Sequence, residues 1–263
     1  YGLNEDPFSK DVNVKDCFKS EDFSQGLARL EFLKNTLGFG ILTGEPGVGK
    51  SFLLRYFVSS LNPNLFKSVY IPISTLTVME FYRALCSGLG IVPCFKKVDM
   101  FQQIQESIYT YRHSKNITPV IIIDEAQFVK NQVLDDLRII FNFEMDSKDY
   151  SILVLSGQLP FITQLNRQTH EALRQRILVN YCLKGLTRDE TKEYVVSRLK
   201  LTGCSEPIFS DSALELLFSS TNGALRPLNS LARMCLISGA NEKLRTIDTD
   251  VVYKAGLELN ITA

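Results

Sequence analysis

Tryptophan is absent from the 263 residues, histidine occurs twice, and the six cysteines show no paired short spacing. That distribution excludes a zinc ribbon and a dense disulfide scaffold, both of which need their ligating or bridging residues in close pairs. Cys17, Cys86, Cys94, Cys182, Cys204 and Cys235 therefore read as reduced packing residues. Net charge is missing too. With 29 Lys+Arg against 29 Asp+Glu, no global field steers the chain to nucleic acid, and any DNA contact must come from a local patch. The longest apolar stretches, such as Pro119 to Ile123 and Ile152 to Leu155, fall far short of the roughly 18 residues a membrane-spanning helix requires. No membrane is expected. Tyr1 to Lys10 mix Asn, Glu, Asp and Pro with apolar residues, unlike a signal peptide, so the expected location is cytoplasmic. Only 15 Gly and 9 Pro, among 45% hydrophobic and 22% charged residues, exclude disorder and collagen. His113 and His170 have no partner cluster for a metal or a triad and are expected at the surface.

What is present is alternation. Strands are expected at Phe39 to Thr43, Ser68 to Ile73, Val120 to Ile123, Ser151 to Ser156 and Ile177 to Leu183, separated by helical stripes at Ser51 to Leu61, Val78 to Leu89, Met100 to Tyr111, Asn131 to Phe143 and Pro160 to Leu165. Another helix is expected over Phe23 to Leu37, following an arm rich in turn formers and aromatics. Such alternation predicts an α/β fold with a parallel sheet covered on both faces. After Gly185 the periodicity is helical throughout: Arg188 to Lys200, Ser210 to Ser219, Pro227 to Ala240 and Asp248 to Gly256, with Thr187, Asp211 and Asp248 as N-caps. The expected division is residues 1–184 as the α/β core and 185–263 as a small all-helical subdomain.

Gly44-Glu45-Pro46-Gly47-Val48-Gly49-Lys50-Ser51, between a strand and a helix, matches the loop whose backbone N–H groups cradle phosphates at a helix N-terminus. The expected ATP-contacting set runs from Gly44 through Phe52, with Lys50 bridging the β- and γ-phosphates and the Ser51 hydroxyl ligating Mg²⁺. Pro119-Val120-Ile121-Ile122-Ile123-Asp124-Glu125 sets two carboxylates at the C-terminal end of a buried strand, where ligands gather in open parallel sheets. Asp124 suits the Mg²⁺ site, and Glu125 suits the base that polarises the attacking water. Ser156 or Gln158, at the end of the next strand, could touch that water or the γ-phosphate. Arg174 and Arg176 precede a strand at a spacing that forbids sharing one helical face, so at most one is a finger supplied to a neighbouring subunit. Arg226, in Gly223-Ala224-Leu225-Arg226-Pro227, could reach back to the nucleotide. Lys96 and Lys97, beside Phe95, are either a solvated loop or a phosphate-backbone contact.

GEPGVGKS, VIIIDEAQ, the SGQ strand end, LRQRI and GALRP in this order resemble the AAA+ ATPases, with the helical tail as their lid. More narrowly, YGLNEDPF, LTGEPGVGKS, DEAQ followed by VLDDLRIIFNFE, then SGQ, LRQRI and GLTRDETKEYVVSRL are similar to the ExeA/TniB/TnsC-like branch over nearly the whole chain. That branch includes secretion ATPases and ATP-dependent regulators encoded beside transposases. The resemblance implies Lys50 and Ser51 as the Walker A pair, Asp124 and Glu125 as the Walker B pair, Arg176 as the finger, Arg226 as the sensor 2 arginine, and a stretch from Tyr1 to Phe8 near the adenine. The secretion members continue into a membrane segment and a peptidoglycan-binding domain, and neither falls within these residues, which tilts the expectation toward the transposition branch. There the resemblance implies a homo-oligomer, ring or filament, that grips double-stranded DNA through Ser74, Thr75, Lys96 and Lys97 and regulates a transposase. A secretion or cell-envelope assembly ATPase without DNA binding is the alternative.

Overall fold

The computed structural model describes residues 1–9, 13–72, 76–204 and 206–261. These form two compact units, one of Gln25–Gly44 and Lys50–Cys182, the other of Tyr1–Ser24, Glu45–Gly49 and Leu183–Ala263.

The first unit is built on strands β1 (Gly38–Gly44), β2 (Phe66–Pro72), β3 (Thr118–Asp124), β4 (Ile152–Gly157) and β5 (Ile177–Leu183), in the order β2-β3-β4-β1-β5. The pairs β1/β4, β2/β3 and β3/β4 are parallel. Every residue of β1, β3 and β4 is buried, as continuous apolar runs in a doubly covered parallel sheet must be. β2, at the edge, alternates between buried and exposed positions over its last residues. Around the sheet lie α1 (Glu21–Thr36), α2 (Lys50–Ser60), α3 (Val78–Leu89), α4 (Lys97–His113), α5 (Asn131–Ile140), α6 (Pro160–Leu165) and the four-residue α7 (Glu171–Arg174). A capping box between Thr77 and Glu80 starts α3, and Gly90 ends it at φ 80°, which only glycine adopts without strain.

The expected α/β fold with a parallel sheet and a helical tail is what the chain forms. Some boundaries differ. α5 stops at Ile140 because Phe141 and Phe143 turn into the core, where Phe141 meets Phe39 edge to face at 5.9 Å. His170 is a correction: expected at the surface, it is 1% exposed, with Nε2 3.2 Å from Asn131 Oδ1. His113 is exposed as expected, stacked on Tyr109. All six cysteines are free thiols, and burial pushes that of Cys235 up to about 12.

The second unit packs α8 (Arg188–Leu201), α9 (Asp211–Thr221), α10 (Leu225–Asn241) and α11 (Thr249–Glu258) around an apolar core. Thr187 and Asp248 cap as expected, but Ser210, not Asp211, caps α9, accepting the Ala213 N–H and leaving Asp211 in the first turn. The N-terminal residues also depart from the expected 1–184 grouping. Phe8 is 1% exposed inside this helical core, and Arg198 Nε donates to the Pro7 carbonyl at 2.6 Å. Arg233 of α10 pairs with Asp6 at 2.7 Å and donates to the Phe8 carbonyl. Two long cations thus pin the arm where sequence periodicity carries no signal. Among the described residues no helix is long and apolar enough to cross a membrane.

Candidate functional site

Register brings the chemistry to one edge of the sheet. Thr43 pairs with Gly157 and Pro72 with Asp124, so β1, β2, β3 and β4 end level with one another. The β3 terminus is crowded with donors to a single carboxylate. Asp124 is 4% exposed; its Oδ2 accepts the Ser51 hydroxyl at 3.1 Å and the Tyr70 hydroxyl at 2.8 Å. Its Oδ1 accepts the Ser156 hydroxyl at 2.9 Å and the Glu125 N–H at 3.0 Å. Four donors fix the direction of this carboxylate. Ser51 and Asp124 present hard oxygen donors side by side, the chemistry Mg²⁺ requires, so the residues fit that ion.

Lys50 opens α2 at 9% exposure, and its ammonium donates to the Gly44 carbonyl at 2.9 Å. The buried cation is thereby kept next to the loop that the sequence reading assigns to phosphates. Gly47 and Gly49 hold φ values of 85° and 109°. Side chains are strained there, which explains why the pattern needs glycine.

Glu125 lies in the left-handed region at φ 55°, uncommon for a residue with a side chain. The turn sends its carboxylate away from Asp124 toward Gln127, whose Nε2 donates to Oε2 at 2.6 Å. Gln127 Oε1 in turn accepts the Gln158 N–H at 3.0 Å. Of the two candidates at the β4 end, Ser156 binds Asp124 through its hydroxyl, while Gln158 enters the Glu125 network through its backbone.

Tyr70 and Gln127 join this candidate site although neither was singled out from the sequence. Tyr70 lies in no motif and arrives through space from the edge strand, while Gln127 closes the DEAQ string on a one-turn 3-10 helix (Ala126–Phe128), and nothing local gives its carboxamide a role. Alternation in β2 was the available signal for Tyr70, since it faces opposite to Val69 and Ile71. Burial, then the hydrogen bond to Asp124, pushes the Tyr70 phenol well above its ordinary value, so it stays protonated and donates at neutral pH.

The remaining expected residues lie elsewhere. Arg176 Nη1 donates to the Arg138 carbonyl at 2.7 Å, and its guanidinium lies 5.5 Å from the Phe39 ring, at the start of β1 rather than its end. Burial, then the charge of Arg138, lowers its pKa. Arg174 Nη1 instead contacts the Asn166 carbonyl and side chain, both at 3.4 Å. In the helical unit, the Arg226 N–H donates to the Gly47 carbonyl at 3.1 Å. A Cβ on Gly47 would meet that of Arg226 at 2.9 Å, so this glycine also serves close approach. The ring of Phe8 is enclosed by the helical core and offers no free face for stacking on a base.

Ser74 and Thr75 lie outside the described residues. Lys97 pairs with Asp136 at 2.7 Å and lies over the Tyr82 ring, so its charge is neutralised within the fold. Lys96 is exposed at the N-cap of α4.

A family model described as an AAA domain matches residues 34–165. General secretion pathway protein A of Aeromonas hydrophila is 32% identical over 242 residues, 90% of this chain but 44% of that protein, so the chain spans under half of its relative. Among solved structures, Cdc6p of Pyrobaculum aerophilum superposes with a TM-score of 0.75 at 18% identity, covering 97% of this chain and 71% of the other. The Aeropyrum pernix ORC1 protein, solved in complex with DNA, gives 0.69 at 16% identity, covering 96% and 68%. These low identities speak for the fold alone. With the family match extending over half of its residues, the chain belongs to the AAA domain family and has the AAA+ ATPase fold.

Proposed function

We propose that this chain is an ATP hydrolase that works as one subunit of a homo-oligomer. The observation that carries the reading is the meeting of Ser51, Tyr70 and Ser156 on Asp124, with Glu125 beside it and Lys50 at the head of α2. Ser51 and Asp124 would hold Mg²⁺, which would supply positive charge against the phosphate oxygens of ATP. Lys50 exchanges the Gly44 carbonyl for those phosphates as a point charge. Glu125 accepts a proton from the water whose oxygen attacks the γ-phosphorus, the bond to the β-phosphate oxygen breaks, and ADP leaves with phosphate.

Glu125→Gln is expected to bind ATP normally and to hold the assembled state, while turnover falls about 10²- to 10⁴-fold because only the proton acceptor is lost. Phosphate release measured beside fluorescent-nucleotide binding checks this. Wild-type turnover in that variant would assign the base elsewhere. Tyr70→Phe removes one donor from Asp124 and is expected to raise the Mg²⁺ concentration for half-maximal turnover about 10-fold. A magnesium titration at saturating ATP is the measurement, and an unchanged midpoint would remove Tyr70 from the site.

For the partner, the relative named for general secretion favours a cell-envelope assembly role, and its 44% coverage leaves the expected absence of further domains without weight. The transposition reading, with double-stranded DNA and a transposase as partners, is the second. It draws on the motif resemblance and on the likeness to an ORC1 protein solved with DNA. Negative-stain microscopy with a slowly hydrolysed ATP analogue, with and without linear duplex, separates the two: particles that form only with DNA support the second, and assembly indifferent to DNA supports the first.

A further inference from the structure

The Gln127 carboxamide uses both ends in one chain of contacts. Its nitrogen donates to the Glu125 carboxylate at 2.6 Å, and its oxygen accepts the Gln158 N–H at 3.0 Å, just beyond β4. The arrangement is built rather than incidental. A Cβ on Gly157 would lie 2.8 Å from Gln127 Oε1 and 3.3 Å from the Ala126 and Gln127 nitrogens, so glycine is what lets the carboxamide seat itself. At the other end, Glu125 is held at φ 55°, a backbone state that persists only where its surroundings enforce it. With Oε2 taken by Gln127, the other carboxylate oxygen is the one left to meet a water.

We infer that Gln127 is a positioning residue that ties the Glu125 carboxylate to the end of β4, so that the proton acceptor and Gln158 move as one body. The inference rests on the ATPase reading for the meaning of Glu125, while the tie itself is a property of the nucleotide-free chain. Gln158 lies at the strand end expected to sense the γ-phosphate, so a displacement there on nucleotide binding reaches the carboxylate through Gln127. Misplacing a reacting group by about 1 Å costs on the order of 100-fold in rate.

The test has two arms. In nucleotide-free protein, hydrogen exchange at the Gln158 amide should quicken about 10-fold in Gln127→Ala, because its acceptor is gone. Unchanged exchange would overturn the tie. In turnover, Gln127→Ala should lower kcat on the order of 100-fold with ATP affinity and melting temperature unchanged, and Gly157→Ala, which displaces the carboxamide, should do likewise. Placed on a Glu125→Gln background, Gln127→Ala should cost nothing further, since a residue acting through another is silent once that other is lost. A full additional loss there would overturn the inference. If Glu125→Gln alone turns over like wild type, the ATPase reading has failed in its choice of base, and the exchange arm still decides whether Gln127 holds β4.

Discussion

Lys50→Ala is expected to weaken ATP binding by roughly 30- to 4,000-fold, the equivalent of losing one partner of a buried charge pair at about 2 to 5 kcal/mol. Lys50 is already buried before any nucleotide arrives, its ammonium satisfied by the Gly44 carbonyl at 2.9 Å. Binding therefore exchanges one acceptor for a stronger one and needs no new burial of charge, which is why the loss appears in affinity. Titration with a fluorescent ATP analogue gives the number. The melting temperature of the nucleotide-free variant separates a lost contact from a lost fold. Tight binding by a folded Lys50→Ala protein would overturn the assignment of the glycine loop.

Arg176→Ala should leave nucleotide affinity of the isolated chain intact and reduce turnover of the assembled particle by about 10³- to 10⁵-fold. On the proposed assembly the effect runs between subunits. The guanidinium sits against Phe39 near the beginning of β1, whereas the glycine loop follows Gly44 at its other end, about 16 Å along a strand that rises about 3.3 Å per residue. No arginine spans that distance within its own chain. Its guanidinium is partly buried beside Arg138, and both burial and that charge lower its pKa. Mixing supplies the sharpest measurement. Arg176→Ala subunits keep an intact phosphate loop and Lys50→Ala subunits keep the arginine, so mixed particles should regain turnover that neither variant has alone. Failure to recover activity in verified mixed assemblies would remove Arg176 from the role.

The features legible in the sequence are those whose physics is local. The phosphate loop needs its glycines in consecutive places, and the Asp124–Glu125 pair follows a strand so uniformly apolar that its end is plain. The sheet unit, with its strands near their expected limits, follows from the same periodicity. What stayed hidden depends on distance in space. Tyr70 precedes Asp124 by 54 positions and meets it only because β2 and β3 pair in register. Gln127 stands within the DEAQ string, yet nothing local announces that its carboxamide reaches β4. The burial of Phe8 is of the same kind: its resemblance-based place near a base says nothing of the helical core that encloses it, where Arg198 and Arg233 hold the neighbouring carbonyls. Lys97, expected in a solvated loop or on a phosphate backbone, pairs with Asp136, 39 positions on.

That capture of Phe8 carries a consequence for synthesis on the ribosome. Pro7 and its arginine partner are 191 positions apart, so at about 5 to 20 residues per second the segment waits roughly 10 to 40 s for the helices that enclose it. During that interval a phenylalanine destined for full burial is open to water in the nascent chain, a binding site for any chaperone that surveys emerging apolar segments. The helical unit takes in these early residues only once α8 and α10 have been made, whereas the sheet unit, whose strands end by Leu183, is free to form earlier.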